Sequence, residues 1–244
     1  MEGRLYVIGM GPGSGEMMTP QAARALERCQ VIAGYTVYVE LLKERYPQAE
    51  FLTTPMTREI DRCRLALQAA QAGRTAALLC GGDAGVYGMA GPVIELSPQY
   101  PGVEIEVICG VTAANAGAAR LGAPLMDDFA AISLSDRLTP WPVIEGRLRA
   151  ACQGDFVLCL YNPCSSARRG RWRQAVELLR TCRPGATPCG WVRQAGREGE
   201  SLGLTTLDKL ADAPVDMRTI VYVGNGRTRR VGEMLVTGRG YPLP

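Results

Sequence analysis

The chain has 244 residues, 47% of them hydrophobic and 21% charged, which is enough to bury a substantial core in one large domain or two smaller ones. Its formal net charge of +3 is too small to indicate a nucleic-acid-binding protein. Because the sequence contains no histidine, imidazole is excluded as a base, nucleophile or metal ligand, and with it histidine-dependent triads and zinc-protease sites.

The nine cysteines form no CxxC pair, and most of them have apolar neighbours. An odd number without metal-ligand spacing predicts free, mostly buried thiols in a reducing cytoplasm rather than a disulfide framework or a metal cluster. No run of residues reaches the roughly 18 apolar positions that a membrane span needs, and the first residues do not resemble a signal peptide. We therefore expect a cytoplasmic protein that binds no metal, no membrane and no nucleic acid.

The first predicted strand, at residues 5–8, leads into a glycine-rich loop at residues 9–15. Such a loop suggests nucleotide binding, but no lysine follows the glycines as in a P-loop, and Ser14 replaces the third glycine of GxGxxG. Pro12 also removes a backbone donor. The loop is better suited to line a cofactor that carries no phosphate.

Capping and periodicity predict the next elements. Thr19 as N-cap and Pro20 as first residue begin a helix, which precedes a strand at residues 31–35 and a second helix at 59–72. Two apolar sets are expected to face the core at helical spacing: Ala22, Ala25 and Leu26 in the first helix, and Ile60, Cys63, Leu67 and Ala70 in the second.

A short apolar strand at residues 75–80 is followed by a sharp loop at 81–88 with four glycines, an aspartate and a tyrosine. Such a backbone can adopt positive φ and approach a ligand closely, and ligands of open α/β sheets bind at the carboxyl ends of strands. An ordinary strand-to-helix turn is the alternative. Another strand, 103–108, leads to Thr112, which can cap a helix at 113–121 whose small residues permit close approach of another element.

Strands that alternate with helices predict a parallel sheet up to this point. The pattern restarts near Gly122, so we predict two domains, at residues 1–122 and 123–244. In the second half we predict strands at 130–134, 156–161, 187–192 and 219–223, and helices at 143–153, 172–182 and 207–211. The fold class is therefore α/β, with two α/β domains.

Three motifs can now be compared with known families: VIGMGPG at 7–13, GGD at 81–83 followed by VYG at 86–88, and GVTAAN at 110–115. They closely resemble the tetrapyrrole methyltransferases that use S-adenosylmethionine. The resemblance implies a tetrapyrrole substrate, a homodimer and a cofactor held in the cleft between two α/β domains. The residues that match the family's cofactor-binding positions are Pro12, Gly81, Gly82, Asp83, Val86, Thr112, Ala113, Tyr161 and Ala195.

Further motifs narrow the resemblance, among them ISLSD at 132–136, LTPW at 138–141, LYNP at 160–163 and RQAGRE at 193–198. They are similar to the carbon-17 methyltransferases of cobalamin biosynthesis, which implies methylation of precorrin-3B or cobalt-factor III with ring contraction. Methylation at carbon 11 or carbon 20, or of uroporphyrinogen, is an alternative within the fold. Methylation of RNA or protein is a second alternative, and a nucleotide-sensing module without activity is a third.

Ring contraction, which the resemblance implies, needs a base, and the sequence offers only non-imidazole candidates. They are Asp127, Asp128, Asp136, Tyr35 and Ser135. We favour Asp128 or Asp136, because both are expected beside strand ends that face the cleft; a surface or helix-capping aspartate is the alternative. The carbon-17 enzymes usually have His-Asp-Phe where this chain has Asp127, Asp128 and Phe129.

The implied substrate carries a rim of carboxylates. Arg168 and the neighbouring Arg169, Arg171 and Arg173 suit bidentate carboxylate binding, although a solvated basic helix start would have the same composition. Tyr35, at the end of a predicted strand, is a second candidate for contact with the substrate.

Overall fold

The structure is a computed structural model, and it describes residues 3–13, 15–164 and 169–242. The chain divides into two compact units, Met1–Ala113 and Ala114–Pro244. The boundary between the units thus lies at the first residue of the helix Ala113–Leu121, and almost all of this helix belongs to the second unit. The boundary predicted from the sequence, at Gly122, lies directly after the last residue of the same helix.

The first unit is a parallel α/β sheet with helices on both faces. Its strands are β1 (Gly3–Gly9), β2 (Val31–Tyr35), β3 (Glu50–Thr54), β4 (Thr75–Cys80) and β5 (Val103–Ile108). Its helices are α1 (Pro20–Glu27), α2 (Thr36–Glu40), α3 (Glu59–Gln71) and α4 (Ala90–Leu96). The strand order is β3-β2-β4-β1-β5 with every pair parallel, so the carboxyl ends of all five strands share one edge.

Alternation along the central strand distributes the apolar side chains to two cores. Leu5 and Val7 of β1 pack on one face of the sheet with α3 and α4, and Tyr6 and Ile8 pack on the other with α1 and α2. A strand buried on both faces must be apolar throughout, which explains the continuous hydrophobic run in the sequence. The cap of α1 is as predicted: the Ala22 N–H donates to Thr19 Oγ1 at 3.1 Å.

The second unit is built on a mixed sheet. Its strands are β6 (Gly122–Ala123), β7 (Phe129–Ser133), β8 (Val157–Tyr161), β9 (Pro188–Arg193), β10 (Ser201–Thr206), β11 (Thr219–Val223), β12 (Thr228–Val231) and β13 (Met234–Thr237). Its helices are α5 (Ala113–Leu121), α6 (Trp141–Gln153) and α7 (Arg169–Arg180), with a short 3-10 helix at Leu207–Asp212. The main sheet has the order β10-β9-β11-β8-β7, in which only β7 and β8 are parallel; β12, β13 and β6 form a small separate sheet.

The small residues of α5 allow it to lie directly on β11, as the sequence predicts. A Cβ added at Gly117 would lie 2.4 Å from the Tyr222 hydroxyl oxygen and 2.6 Å from Ile220 Cγ2. The Tyr222 hydroxyl donates to the Ala114 carbonyl at 2.7 Å, and burial raises the pKa of this phenol well above its usual range. Close approach of helix and strand thus places a buried hydrogen bond at the start of α5.

Several sequence predictions differ from the structure. Ile60 does not face the core but is 44% exposed, whereas the other three residues of its predicted set are buried. Two of the four edge strands of the main sheets, β3 and β10, were not predicted, because their sequences EFLTT and SLGLTT mix polar and apolar residues. Edge strands are half-exposed and lack the continuous apolar run of central ones. The hairpin of β12 and β13 also went unpredicted.

Six of the nine cysteines are buried, in agreement with the prediction of mostly buried thiols. Among the described residues, no helix is long and apolar enough to cross a membrane. Over residues 3–13, 15–164 and 169–242, no cluster of three or more metal-ligating side chains could hold an ion.

Candidate functional site

Three loops converge at the carboxyl edge of the first sheet, because they follow the neighbouring strands β4, β1 and β5. The first two are joined by a pair of backbone hydrogen bonds: the Gly11 N–H donates to the Gly82 carbonyl at 3.0 Å, and the Gly82 N–H to the Gly11 carbonyl at 2.8 Å. Both glycines have positive φ, +79° and +75°. A side chain at either position would be strained, so the bridge requires glycine.

The side chain of Asp83 joins the loop after β4 to the loop after β5. Its Oδ1 accepts the N–H groups of Gly85 at 2.7 Å and Val86 at 3.0 Å, and its Oδ2 accepts the Gly110 N–H at 2.8 Å. Hydrogen bonds from backbone N–H groups to a carboxylate are charge-assisted and short. Asp83 therefore acts as a clamp that sets the shape of this edge.

Close backbone contact explains the glycines between the clamped loops. A Cβ at Gly110 would lie 2.2 Å from the Gly82 carbonyl oxygen, and one at Gly9 would lie 2.6 Å from the Gly110 nitrogen. At Gly81 a Cβ would lie 2.5 Å from the ring of Tyr38. The loops at this edge can therefore approach one another only because these positions carry no side chain.

The predicted cofactor residues of the first unit are brought together here. Pro12, Gly81, Gly82, Asp83, Val86, Thr112 and Ala113 all lie on the three loops or directly after them. Beneath the loops, burial raises the pKa of the Cys80 thiol to about 12, and the Met89 N–H donates to its sulfur at 3.4 Å. A thiol with that pKa is not a nucleophile at neutral pH. The edge is thus suited to binding rather than to covalent catalysis.

An aromatic and cationic cluster borders the loops on the side of β2 and β3. Tyr35, the last residue of β2, stacks edge-on against Tyr38 with ring centroids 5.5 Å apart, and the guanidinium of Arg62 lies 5.7 Å from the Tyr35 ring centroid. Sequence reasoning identified Tyr35 but missed Tyr38 and Arg62. Helical spacing could have indicated that Arg62 is buried, since it lies four and eight residues before Ala66 and Ala70, which are on the buried face of α3.

In the second unit, the register places Tyr161 and Ala195 on one edge of the mixed sheet. The carboxyl ends of β8 and β9 both lie beside the amino end of β11, because β11 runs antiparallel to each. The Tyr161 hydroxyl accepts the Ala114 N–H at 3.0 Å, which ties this residue to the first turn of α5. Both predicted positions are therefore at the same edge of the sheet, and Tyr161 also lies beside the start of α5.

The loop that carries Ala195 is held by a carboxylate. Glu200 accepts the Gly196 N–H at 2.7 Å with one oxygen and the Arg120 Nε–H at 2.6 Å with the other. Ala195 itself is buried. Ala195 is thus a small, buried residue on a loop that this carboxylate holds in place.

The two favoured aspartates lie at opposite ends of β7. Asp136 follows the carboxyl end and accepts the Arg171 Nε–H at 3.0 Å, while the Arg171 guanidinium lies 4.9 Å from the Trp141 ring centroid. Asp128 precedes the amino end, where its carbonyl accepts the Val157 N–H. With about 16 Å of strand between them, they do not face one edge, and the expectation that both do is wrong.

Two other predictions fall elsewhere. Arg168 lies outside the described residues. Asp127 accepts an N–H of the buried Asn225 amide at 3.3 Å, within a network that includes Thr228 and Thr237, and this network joins the small sheet to the start of β7. The position of the missing family histidine is therefore occupied by a residue with structural partners.

Comparison with known proteins shows the family of the chain. A family model described as tetrapyrrole (corrin/porphyrin) methylases matches residues 4–211. A probable cobalt-factor III C(17)-methyltransferase from Salmonella typhimurium is 49% identical over 98% of this chain and 100% of its own length. A precorrin-3B C(17)-methyltransferase from Sinorhizobium is 43% identical over 95% of this chain and 92% of its own. The chain spans about half of two longer relatives, 46% of one from Priestia megaterium and 53% of one from Archaeoglobus fulgidus.

Solved structures lead to the same family. The crystal structure of the methyltransferase CobJ superposes with a TM-score of 0.90 at 36% identity, over 97% of this chain and 100% of that one. A uroporphyrin-III C-methyltransferase from Thermus thermophilus, in complex with S-adenosyl homocysteine, has a TM-score of 0.71 at 25% identity and covers 91% of this chain and 97% of its own. The motifs, the two α/β units and these matches together show that the chain belongs to the tetrapyrrole (corrin/porphyrin) methylases.

Proposed function

We propose that this protein transfers a methyl group from S-adenosylmethionine to carbon 17 of precorrin-3B or cobalt-factor III and contracts the ring to give precorrin-4 or cobalt-precorrin-4. The observation that carries the proposal is full-length similarity to relatives named for carbon-17 methylation, at 49% and 43% identity. The likeness to CobJ at a TM-score of 0.90 supports it. Methylation at carbon 11 or carbon 20 is the alternative, which the substrate assay below separates.

The edge of the first unit fits the cofactor that the family implies. The backbone hydrogen bonds between the loops after β1 and β4 use the N–H and carbonyl groups of Gly82. Among the described residues, the backbone N–H and carbonyl groups of Gly81 and Asp83 take part in none of these loop-to-loop bonds. Polar backbone groups on a glycine-lined edge suit the amino-acid and ribose groups of a nucleoside cofactor, and no phosphate cradle is needed. We assign Pro12, Gly81–Asp83, Val86, Thr112 and Ala113 to this role, with Tyr161 and Ala195 from the second unit.

The sulfonium of the cofactor supplies an electrophilic methyl group when it is bound. The residues of this chain then have mainly to orient the two reactants, since alignment in a near-attack geometry contributes roughly 7–11 kcal/mol. A rigid edge serves that purpose, and the three N–H groups on the Asp83 carboxylate provide rigidity. Few catalytic side chains are required.

The acid–base step of ring contraction is assigned to Asp136 rather than to Asp128. Asp136 lies at the carboxyl end of β7, the edge that also carries Tyr161, whereas Asp128 lies at the other end. The Arg171 Nε–H donates to Asp136 Oδ2 at 3.0 Å, which holds the carboxylate in a fixed orientation at this edge. An Asp136→Asn variant should keep methyl transfer and lose ring contraction; a variant that contracts the ring normally would remove the assignment.

Homodimeric assembly and a cytoplasmic location are proposed on the family resemblance. Sedimentation equilibrium of the purified protein tests the dimer. A mass of one chain, 26.3 kDa, at micromolar concentration would contradict it.

The function is tested by anaerobic incubation with S-adenosylmethionine and either cobalt-factor III or metal-free precorrin-3B, monitored by mass and absorption. A gain of one methyl group together with ring contraction on one substrate supports the proposal and identifies the cobalt-containing or metal-free form. If neither substrate reacts while S-adenosylhomocysteine still binds, carbon-17 methylation is wrong, and the substrates of the carbon-11 and carbon-20 methylations are tested next.

A further inference from the structure

Arg62 is a buried cation at the ligand edge of the first sheet. Only 6% of its surface is exposed, although it belongs to the amphipathic helix α3, whose other arginine at Arg64 faces solvent. Its Nε–H donates to Thr54 Oγ1 at 2.8 Å and its Nη2–H to the Pro55 carbonyl at 3.1 Å. These contacts place the guanidinium beside the carboxyl end of β3.

Two further strand ends surround the same group. The Tyr35 ring at the end of β2 covers the guanidinium, and Arg62 lowers the pKa of the Cys80 thiol at the end of β4 against the larger effect of burial. The guanidinium therefore lies beside the ends of β3 and β2, and the next strand in the sheet is β4. The last of these continues directly into the loop that begins at Gly81.

No described carboxylate forms an ion pair with Arg62. Its hydrogen bonds among the described residues go to a hydroxyl and a carbonyl, which are neutral. No hydrogen bond of Arg62 Nη1 is found among the described residues. If this nitrogen were fully buried, it would count as a buried polar atom without a partner, but in the described part of the chain only Nε of Arg183 does so. Nη1 of Arg62 therefore reaches the surface. A buried cation without a counter-ion is costly, and a terminal nitrogen that is still available can donate to an anion.

We infer that Arg62 binds a peripheral carboxylate of the tetrapyrrole substrate, with Tyr35 as the aromatic surface beside it. This inference rests on the proposed function, because it takes the substrate to be a tetrapyrrole with acetate and propionate side chains. A guanidinium matches the planar geometry of a carboxylate, and one already buried against Tyr35 loses little side-chain freedom on binding.

The test uses the Arg62→Met variant, which removes the charge and keeps the length of the side chain. Since no described carboxylate pairs with Arg62, its replacement leaves no opposite charge buried, and the melting temperature should change by less than about 4 °C. The KM for the tetrapyrrole should rise about 10- to 100-fold, the range that a hydrogen bond to a charged group contributes. The dissociation constant of S-adenosylhomocysteine should stay within about twofold, because the loops after β1 and β5 are unaltered.

The matched control is Arg58→Met, one turn earlier, where the arginine is 65% exposed in an ion pair with Asp61. It should leave KM unchanged. An Arg62→Lys variant retains the charge and should have a KM between those of the wild type and Arg62→Met.

Three outcomes would overturn the inference: a wild-type KM in Arg62→Met, an equal increase in Arg58→Met, or a fall in melting temperature with parallel loss of S-adenosylhomocysteine binding, which would make Arg62 a structural residue. Failure of the proposed function is distinct, since it would appear as absent turnover in the wild-type protein under the same conditions.

Discussion

Replacement of Gly117 by alanine should destabilise the second unit, although alanine is the better helix former. The added Cβ would lie 2.4 Å from the Tyr222 hydroxyl oxygen and 2.6 Å from Ile220 Cγ2, and Tyr222 is fully buried. Overpacking costs about 1–3 kcal/mol, and loss of the bond from Tyr222 to the Ala114 carbonyl adds about 1–3 kcal/mol. Helix propensity returns about 1 kcal/mol. We therefore expect the free energy of unfolding to fall by about 1–5 kcal/mol.

The control is the same substitution in another helix. A Cβ at Gly146 of α6 meets no atom within 4 Å, so Gly146→Ala should raise the free energy of unfolding by about 0.5–1 kcal/mol. Urea denaturation followed by circular dichroism measures both variants, and each kcal/mol corresponds to about 2–4 °C in melting temperature. A Gly117→Ala protein as stable as the wild type would refute the close packing of α5 on β11.

Three further predictions concern the clamp, an acidic group and the thiols. In Asp83→Asn, the amide group replaces one acceptor oxygen, so it faces either the Gly110 N–H or the N–H groups of the other contacts with a second donor. The free energy of unfolding should therefore fall by about 1–3 kcal/mol, and calorimetry should show weaker binding of S-adenosylhomocysteine. Unchanged binding would contradict the clamp. Burial opposes ionisation of Asp216, but hydrogen bonds from Arg193, Arg218 and Thr219 outweigh it and lower the pKa of this carboxyl from its usual value. The carboxylate therefore stabilises the fold above its unfolded pKa and loses this effect as the pH falls through the folded pKa, so the stability gap between wild type and Asp216→Asn should narrow from pH 7 to pH 3. Iodoacetamide should modify the exposed Cys109 and Cys182 first, since burial raises the pKa of Cys29, Cys80 and Cys189 to about 12; mass spectrometry that finds native Cys80 labelled early would contradict this order.

Local patterns in the sequence were sufficient for much of the fold. The strands β2, β4, β5 and β11 and the helix α5 have the predicted bounds, because apolar runs in the central strands, alternation in β5 and small residues in α5 are patterns within a few positions. The three glycine loops were predicted as a group for the same reason: each follows a strand directly.

Other features depend on neighbours that the sequence does not specify. Edge strands have one partner and a mixed pattern, so β3 and β10 had no clear signal. The antiparallel order of the second sheet follows from which strands pair, and the same order decides that Tyr161 and Ala195 share an edge.

The role of single side chains was the least predictable. Asp83 is a clamp for three N–H groups, Asp136 is paired with Arg171, and Arg62 is a buried cation beside the ends of β3 and β2. The sequence alone determined the α/β class, the family motifs and the position of the glycine loops, since these depend on local spacing. Only the tertiary structure decided which charges are paired and which aspartate lies at which end of β7, because those partners are distant in the chain and meet only after the sheets have formed.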